Sequence, residues 1–151
     1  MNNRDFCIKH AAHIATGTVC PSRHGYADSG AHIHCTGHYL QSYGSHYPLL
    51  YAIEREDGTR VLVVNSEGYG QATSKHIGHA RSAAWAINSP TVTVYDSKIM
   101  RTREGVISSL RERVATLQRS YDSLTRKNTK KAGYIIAMIE RTNHDIKTIT
   151  Q

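Results

Sequence analysis

The middle of the chain alternates between apolar runs and turn-forming residues in a way that predicts a β-hairpin followed by a helix. Two apolar runs, Tyr47–Ile53 and Val61–Val64, flank an Asp-Gly pair, which is a strong short-range hairpin signal in this position. After Ser74, whose hydroxyl can cap a helix, apolar residues recur at intervals of three and four positions. The pattern predicts a hairpin over residues 47–64 and a helix over residues 74–87.

The segments on either side of this unit add a second helix and more strands. Residues Arg4–Ala15 place their apolar side chains on one helical face, and residues Gly17–Gly30 contain the Gly, Ser, Pro and Asp of a long loop. Residues Ala31–Tyr43 have the composition of strands interrupted by a glycine. Beyond an Asn-Ser-Pro breaker, residues Thr91–Tyr95 alternate as a half-buried strand does.

The last third of the chain has the periodicity of two helices. From residue 106 to residue 124, apolar side chains step by four, four, three, four and three positions, which is the spacing of a heptad seam. A basic connector, Arg126–Lys131, separates this seam from a second apolar face within Tyr134–Ile146. The sequence therefore predicts a C-terminal helical hairpin, whose seam could pack on the sheet, within the hairpin or against a second copy.

These elements together predict an α+β fold. The expected fold is a small antiparallel sheet, formed by the hairpin over 47–64 and the strand over 91–95, with the helix over 74–87 packed on it and a helical hairpin at the C-terminus. Two units are expected. They are an α+β domain over residues 1–98 and the helical hairpin over residues 99–151, which packs on the domain or extends from it.

Composition and charge narrow the class of protein. The chain has 151 residues, of which 39% are hydrophobic, and this is enough for a buried core. Its 19 Lys and Arg against 12 Asp and Glu give a formal charge of +7, which makes nucleic acid a plausible partner. No apolar run reaches the roughly 20 residues that cross a bilayer, and the first residues lack the apolar core of a secretory signal. We therefore expect a soluble intracellular protein.

One polar cluster surrounds the predicted start of the helix at Ser74. If Ser74 caps the helix, Lys75 and His76 lie in its first turn, where unpaired N–H groups and the helix dipole favour an anion. His46 and His76 could then act as acid and base in phosphodiester cleavage, with Lys75 stabilising the phosphorane charge. A plainer interpretation is that Ser74 only caps the helix and that the histidines hydrogen-bond the backbone. The predicted anion or nucleic-acid surface comprises this cluster and the basic connector: Ser74, Lys75, His76, His79, Arg81, Arg126, Lys127, Lys130 and Lys131.

The stretch Ser42–Arg81 resembles part of a group of phage proteins. It begins with Ser-Tyr-Gly, continues with the predicted hairpin, and ends with a tyrosine that precedes Thr-Ser-Lys-His. This order is similar to that in small tailed-phage proteins of uncharacterised function, in which the ending is a tyrosine with Thr-Thr-Ser-Lys-His. The chain has Gly70 and Ala72 where hydroxyl-bearing residues are common in that group, so two hydroxyls are missing. The resemblance implies a phage origin and the cytoplasm of the infected host cell as the location, and it implies no activity.

The cysteines and nearby histidines offer a candidate zinc site. Cys20 and His24 form one pair and Cys35 and His38 form a second, and thiolate and imidazole are the usual ligands of structural Zn²⁺. Such a site would tie down the long loop before residue 31. The spacing is irregular and histidine-rich stretches also occur in solvent, so a chain without a cofactor is the alternative. An odd number of cysteines argues against a closed disulfide framework.

Known catalytic signatures are absent from the sequence. There is no P-loop, dinucleotide fingerprint, paired-carboxylate signature or nucleophile elbow, which disfavours kinases, dehydrogenases and common hydrolases. We therefore expect a phage-encoded accessory protein that binds nucleic acid or a host or phage protein, away from membranes. The alternatives are a metal-independent nuclease that uses His46 and His76, and an oligomeric virion or assembly component that associates through the helix over 106–124. The basic connector is a phosphate-contacting tip in the first hypothesis and a solvated loop otherwise.

Overall fold

The computed structural model describes residues 3–18, 33–36, 39–42, 47–67, 71–96 and 98–151. These residues form one five-stranded sheet and four helices. In chain order the elements are α1 (Asn3–Thr16), β1 (Ile33–Thr36), β2 (Tyr39–Ser42), β3 (Tyr47–Glu54), β4 (Arg60–Asn65), α2 (Gln71–Ala86), β5 (Thr91–Val94), α3 (Arg103–Asp122) and α4 (Lys130–Thr150).

The sheet is mixed, with its strands in the order β1-β2-β3-β4-β5. The first three pairings are antiparallel, whereas β5 is parallel to β4 because α2 carries the chain back to the end of the sheet where β4 begins. The predicted α+β fold class is confirmed, and the predicted hairpin corresponds to β3 and β4. The strand predicted over 91–95 joins this sheet, but the sheet is not antiparallel throughout and has two further strands before the hairpin.

The turn between β3 and β4 uses the Asp-Gly pair that predicts it. Gly58 has a φ of +85°, a left-handed conformation that glycine adopts without a steric penalty. The Oδ1 atom of Asp57 accepts hydrogen bonds from the N–H and the hydroxyl of Thr59, at 3.0 and 2.6 Å. The carboxylate thus closes the turn locally, as aspartate commonly does.

A β-bulge in β3 changes which of its side chains share a face of the sheet. Leu40 of β2 pairs with Leu50, but the next residue, Gln41, pairs with Pro48, so β3 has one extra residue at this point. As a consequence, Leu49 and Leu50 pack in the same hydrophobic cluster although they are adjacent in the chain. Strict alternation is therefore lost in the first half of this strand.

The sheet lies between two helical layers, and each of its faces has a separate hydrophobic core. On β4, Leu62 and Val64 pack in the core that includes α1 and α2, whereas Val61 and Val63 pack in the core that includes α3 and α4. A strand that is buried on both faces has an unbroken apolar run instead of alternation, and β4 is such a strand. The layers are therefore α1 with α2, the sheet, and α3 with α4.

The C-terminal helical hairpin is confirmed, because α3 and α4 pack against each other. Each helix begins with a threonine whose side-chain oxygen accepts a hydrogen bond from the backbone N–H three residues later. Thr102 accepts from Gly105 at 3.0 Å, and Thr129 accepts from Ala132 at 3.2 Å. These caps satisfy donors that a helix leaves unpaired in its first turn, and they fix where both helices start.

The apolar seam predicted along α3 packs against other elements of the same chain. Val106 and Leu110 lie in the core against the sheet together with Ile149 of α4, and Leu117 is also buried. Packing on the sheet and within the hairpin therefore covers Val106, Leu110 and Leu117, whereas the remaining seam residues are half-buried: Val114, Tyr121 and Leu124. None of the helices in the described ranges is long and apolar enough to cross a membrane.

Candidate functional site

The residues predicted to form a site at the start of α2 lie in different environments. Because α2 begins at Gln71, Ser74 lies inside the helix, and the unpaired N–H groups of the first turn precede it. Ser74 and Lys75 are exposed, and His79 is half-buried. The sequence predicts that these side chains lie together at the free N-terminus of the helix. In the structure they do not.

His76, the catalytic residue of the nuclease hypothesis, lies inside the protein. It is 6% exposed, and its Nδ1 atom lies 2.6 Å from the hydroxyl oxygen of Ser42, which is fully buried at the end of β2. This hydrogen bond joins β2 to α2 and gives two buried polar groups a partner. His46, the second imidazole of that hypothesis, lies outside the described residues. The burial of His76 disfavours phosphodiester cleavage, which requires the imidazole to reach its substrate.

Of the predicted zinc ligands, only Cys35 belongs to the described residues. It is buried in β1 and disulfide-bonded, a pairing that the odd number of cysteines does not suggest, and its sulfur is then not available to a metal. Cys20, His24 and His38 lie outside the described residues. Within those residues, no three His, Cys, Asp or Glu side chains are placed to hold a metal ion. Burial raises the pKa of the free Cys7 thiol to about 12, so this thiol is not a reactive group.

The basic connector between α3 and α4 is open to solvent. Its basic side chains at positions 126, 127, 130 and 131 are all exposed. Lys127 donates a hydrogen bond from Nζ to the carbonyl of Leu124 at 2.9 Å, which leaves two of its three donors for other partners. The ion pairs in the described part of the chain involve Arg60 and Arg103, at a different place in the fold. The connector therefore presents positive charge that an anionic partner can reach.

The residue that the sequence reasoning misses is Trp85, which is 85% exposed on the outer side of α2. Arg81 and Asn88 lie about one turn before it and one turn after it on the same side, and both are exposed. Together with Thr93 of β5 and part of α4, they line a cavity of about 290 Å³. We call this cavity the Trp85 groove, and the lining residues that matter below are Arg81, Trp85, Asn88, Thr93, Arg141 and Asp145.

A buried carboxylate, that of Asp145, lines the inner wall of the Trp85 groove. Asp145 is 8% exposed, and its Oδ2 atom accepts a hydrogen bond from the backbone N–H of Thr93 at 3.1 Å. Desolvation raises the pKa of Asp145, while the Thr93 N–H and the charges of Arg141 and His144 oppose that rise. Because β5 is the outermost strand on this side, Asp145 also occupies an edge N–H to which a further strand would otherwise bind.

The rim of the Trp85 groove is positively charged. On α2, the Arg81 guanidinium donates a hydrogen bond to the hydroxyl of Ser66, and on α4 the Arg141 side chain is exposed. A smaller cavity of about 80 Å³ continues from Arg141 to Met138 and Tyr95. Guanidinium groups bind phosphate in a fixed geometry, and an indole ring stacks on planar groups. The arrangement suits a ligand that carries both phosphate and aromatic rings.

One stripe of α4 connects the Trp85 groove with the basic connector. Lys130, Tyr134, Met138, Arg141 and Asp145 are separated by four, four, three and four positions, so they lie on one side of the helix. Tyr134 is 65% exposed. With a rise of 1.5 Å per residue, the stripe is about 22 Å long. A positive connector, an exposed phenol ring and the groove therefore follow one another along a single surface.

The sequence periodicity that predicts α2 also predicts which of its residues are buried and which are exposed. His76 is four positions before Ala80 and seven before Ala83, so it belongs to the buried side of the helix. Trp85 lies on the opposite side, together with Arg81. A histidine within an apolar stripe is expected in the core, whereas a tryptophan on the polar side of a helix, beside an arginine, is expected at the surface.

No protein-family model matches the chain, and no curated protein and no solved structure is significantly similar to it. The similarity to tailed-phage proteins remains a resemblance of the stretch Ser42–Arg81. Function must therefore be inferred from the residues of the chain itself.

Proposed function

We propose that this protein binds single-stranded nucleic acid through the Trp85 groove and the basic connector. The observation that carries the proposal is a tryptophan that is 85% exposed and shares a cavity with two arginines, Arg81 and Arg141. Stacking of one base on an aromatic side chain contributes about 1–3 kcal/mol, and every base has a face that can stack. A solvent-exposed indole in a cavity lined by two guanidinium groups can stack on a base while the guanidinium groups bind its phosphates.

The charge distribution supports an extended binding track. The chain has a formal charge of +7, and the exposed connector lies at the start of the α4 stripe that leads to Arg141. A phosphate backbone that follows this stripe would meet the connector, the ring of Tyr134 and then the groove. Contacts of lysine and arginine with phosphate supply most of the affinity in such complexes, without regard to sequence.

The shape of the groove favours a single strand over a duplex. In a duplex both faces of a base are stacked, so Trp85 can stack only on an unpaired base. The cavity of about 290 Å³ is concave and small, unlike the protruding helix that enters a major groove. An added peptide strand is disfavoured here, because Asp145 already accepts the outward N–H of Thr93 on the edge of β5.

The expected setting is the infected cell. The resemblance of Ser42–Arg81 to tailed-phage proteins supports an accessory role in the host cytoplasm, where single-stranded nucleic acid of phage or host would be the partner. The nuclease hypothesis receives less support because His76 is buried against Ser42. Assembly through the α3 seam receives less support because Val106 and Leu110 are covered within the chain.

The proposal is tested by the fluorescence anisotropy of a labelled single strand of mixed sequence and of the corresponding duplex, measured from about 50 to 200 mM salt. We expect tighter binding of the single strand and a steep fall with salt. If four phosphates are contacted, the affinity should fall roughly 50-fold over this range. Absence of binding, an affinity that does not change with salt, or a preference for the duplex would contradict the proposal.

A further inference from the structure

We infer that the Trp85 groove discriminates between bases and takes cytosine in preference to thymine or uracil, with the Asp145 carboxylate as the group that reads the base. This inference rests on the proposed function, since it names the base that the same groove binds. Asp145 lines the same groove as the exposed Trp85 and is itself 8% exposed. In the inferred complex, a ring that stacks on the tryptophan meets this carboxylate with its edge.

The carboxylate has one oxygen in use and one available for a ligand. Its Oδ2 atom accepts the Thr93 N–H at 3.1 Å, and no hydrogen bond from the described residues reaches its Oδ1 atom. An ionised carboxylate is an acceptor only, so a ligand must present a donor to it. The C-terminal end of α2, at Ala86, adds partial negative charge near the same wall. The inner end of the groove therefore favours a hydrogen-bond donor, whereas its rim favours phosphate.

Cytosine and thymine differ in what they offer to this carboxylate. Cytosine presents the N4 amino group, and pairing of Asp or Glu with cytosine N4 is an established mode of base recognition. Thymine and uracil present a carbonyl oxygen at that position, and their N3–H donor lies between two carbonyl oxygens, which a carboxylate repels. The ring sizes are similar, so stacking on Trp85 does not separate the two pyrimidines. The difference rests on the hydrogen bond to Asp145.

A cationic side chain of a partner protein is the other ligand that a carboxylate beside an aromatic ring could accept. The positive charge at the rim of the groove disfavours such a ligand, because Arg81 and Arg141 would both repel an incoming lysine or arginine. The net charge of +7 acts in the same direction at longer range. A base attached to a phosphate satisfies the rim and the inner wall at the same time.

The test compares the affinities of oligo(dC) and oligo(dT) of equal length for the wild-type chain and for Asp145→Asn, by fluorescence anisotropy at low salt. A hydrogen bond to a charged acceptor predicts about a tenfold preference of the wild type for oligo(dC). In Asp145→Asn, the amide oxygen can still accept the Thr93 N–H while the NH₂ group faces the ligand as a donor. The preference should then fall to one or reverse towards oligo(dT).

Glu112→Gln, on the exposed side of α3, is the matched control, because it removes the same charge outside the groove and should leave the ratio of affinities unchanged. Thermal unfolding of Asp145→Asn verifies that the fold is kept. Equal binding of the two oligonucleotides by the wild type would overturn the inference and leave the proposed function intact. A preference for oligo(dC) that persists in Asp145→Asn would overturn the role of Asp145. Failure to bind either oligonucleotide would overturn the proposed function and the inference with it.

Discussion

The α1–α2 layer buries imidazole side chains on its inner side and exposes a tryptophan on its outer side. The inner side contains two imidazoles, His10 and His76, which are 1% and 6% exposed. The outer side contains the single tryptophan of the chain, at 85% exposure. Imidazoles are common in active sites and tryptophans in cores, so residue type alone would place a candidate site on the inner side of the layer. A large apolar ring that is exposed to solvent beside positive charge is a better indicator of a binding site than residue type is.

The two buried imidazoles also differ from each other. His76 has the Ser42 hydroxyl as a hydrogen-bond partner at 2.6 Å, whereas Nδ1 of His10 has no hydrogen-bond partner among the described residues. The His10 ring lies 4.3 Å from that of Phe6, measured between centroids. Burial, helped by the charges of Lys9 and His13, lowers the pKa of His10 to about 4. Both imidazoles thus belong to the packing of the layer. The groove proposed to bind nucleic acid lies on the outer side of α2.

The largest expected effect is on the inner side, in His76→Ala. This change leaves a cavity between α2 and the sheet and removes the partner of the buried Ser42 hydroxyl, which together cost about 3–4 kcal/mol of unfolding free energy. Trp85→Ala, on the outer side of the same helix, should change stability by less than about 0.5 kcal/mol. Urea unfolding of both variants measures the difference. Equal losses would contradict the assignment of the two sides.

The second effect is a loss of stability in acid through His10. The folded-state pKa, about 4, lies below the ordinary value of 6.5, so the folded protein excludes a proton that the unfolded chain binds. This contribution to stability is complete above pH 6.5 and is lost as the pH falls towards 4, by about 3 kcal/mol in total. His10→Leu should reduce the difference in unfolding free energy between pH 7 and pH 4 by that amount. The same pH dependence in wild type and variant would show that His10 does not titrate in this way.

On the outer side, Trp85→Ala should weaken the binding of a single-stranded oligonucleotide about 10- to 100-fold, because one stacked base contributes about 1–3 kcal/mol. Trp85→Phe keeps an aromatic ring and should lose much less. Anisotropy titrations of the two variants, each with unchanged stability, provide the comparison. If both variants bind as the wild type does, no base stacks on Trp85.

The smallest effects concern single charges. Arg141→Ala should weaken binding about three- to fivefold and reduce the slope of log affinity against log salt by about 0.7, the value for one phosphate contact with a single strand. Arg111→Ala removes an exposed arginine from α3 outside the groove and should change affinity less than about twofold. Similar losses in the two variants would indicate non-specific attraction by net charge instead of a defined site.

Those parts of the fold that depend on local signals could be predicted from the sequence. Each of three local patterns is compatible with one kind of secondary structure: the Asp57-Gly58 turn, the apolar side of α2 and the seam of α3. The bulge at Leu49 and Leu50 and the parallel pairing of β5 could not, because both depend on how distant strands meet.

The candidate site was predicted only in part, for a related reason. Arg81 and the basic connector are among the predicted residues, whereas Trp85, Arg141 and Asp145 are not. The groove is assembled from residues of β4, α2, β5 and α4, and these residues extend along the chain from Val64 to Asp145. No local spacing connects them. The exposure of Trp85 was nevertheless accessible from the helical periodicity, since Trp85 lies on the side of the helix opposite the buried His76 and Ala83.

The most direct test of base stacking in the Trp85 groove is the intrinsic fluorescence of Trp85, since the chain contains no other tryptophan. Titration with a single-stranded oligonucleotide should quench the emission to saturation, with the same midpoint as the anisotropy of the labelled strand. Bound nucleic acid should also protect the indole from acrylamide, because a stacked base covers the ring that is now 85% exposed. Binding that is evident in anisotropy but leaves both the emission and the acrylamide quenching of Trp85 unchanged would place the nucleic acid elsewhere on the protein.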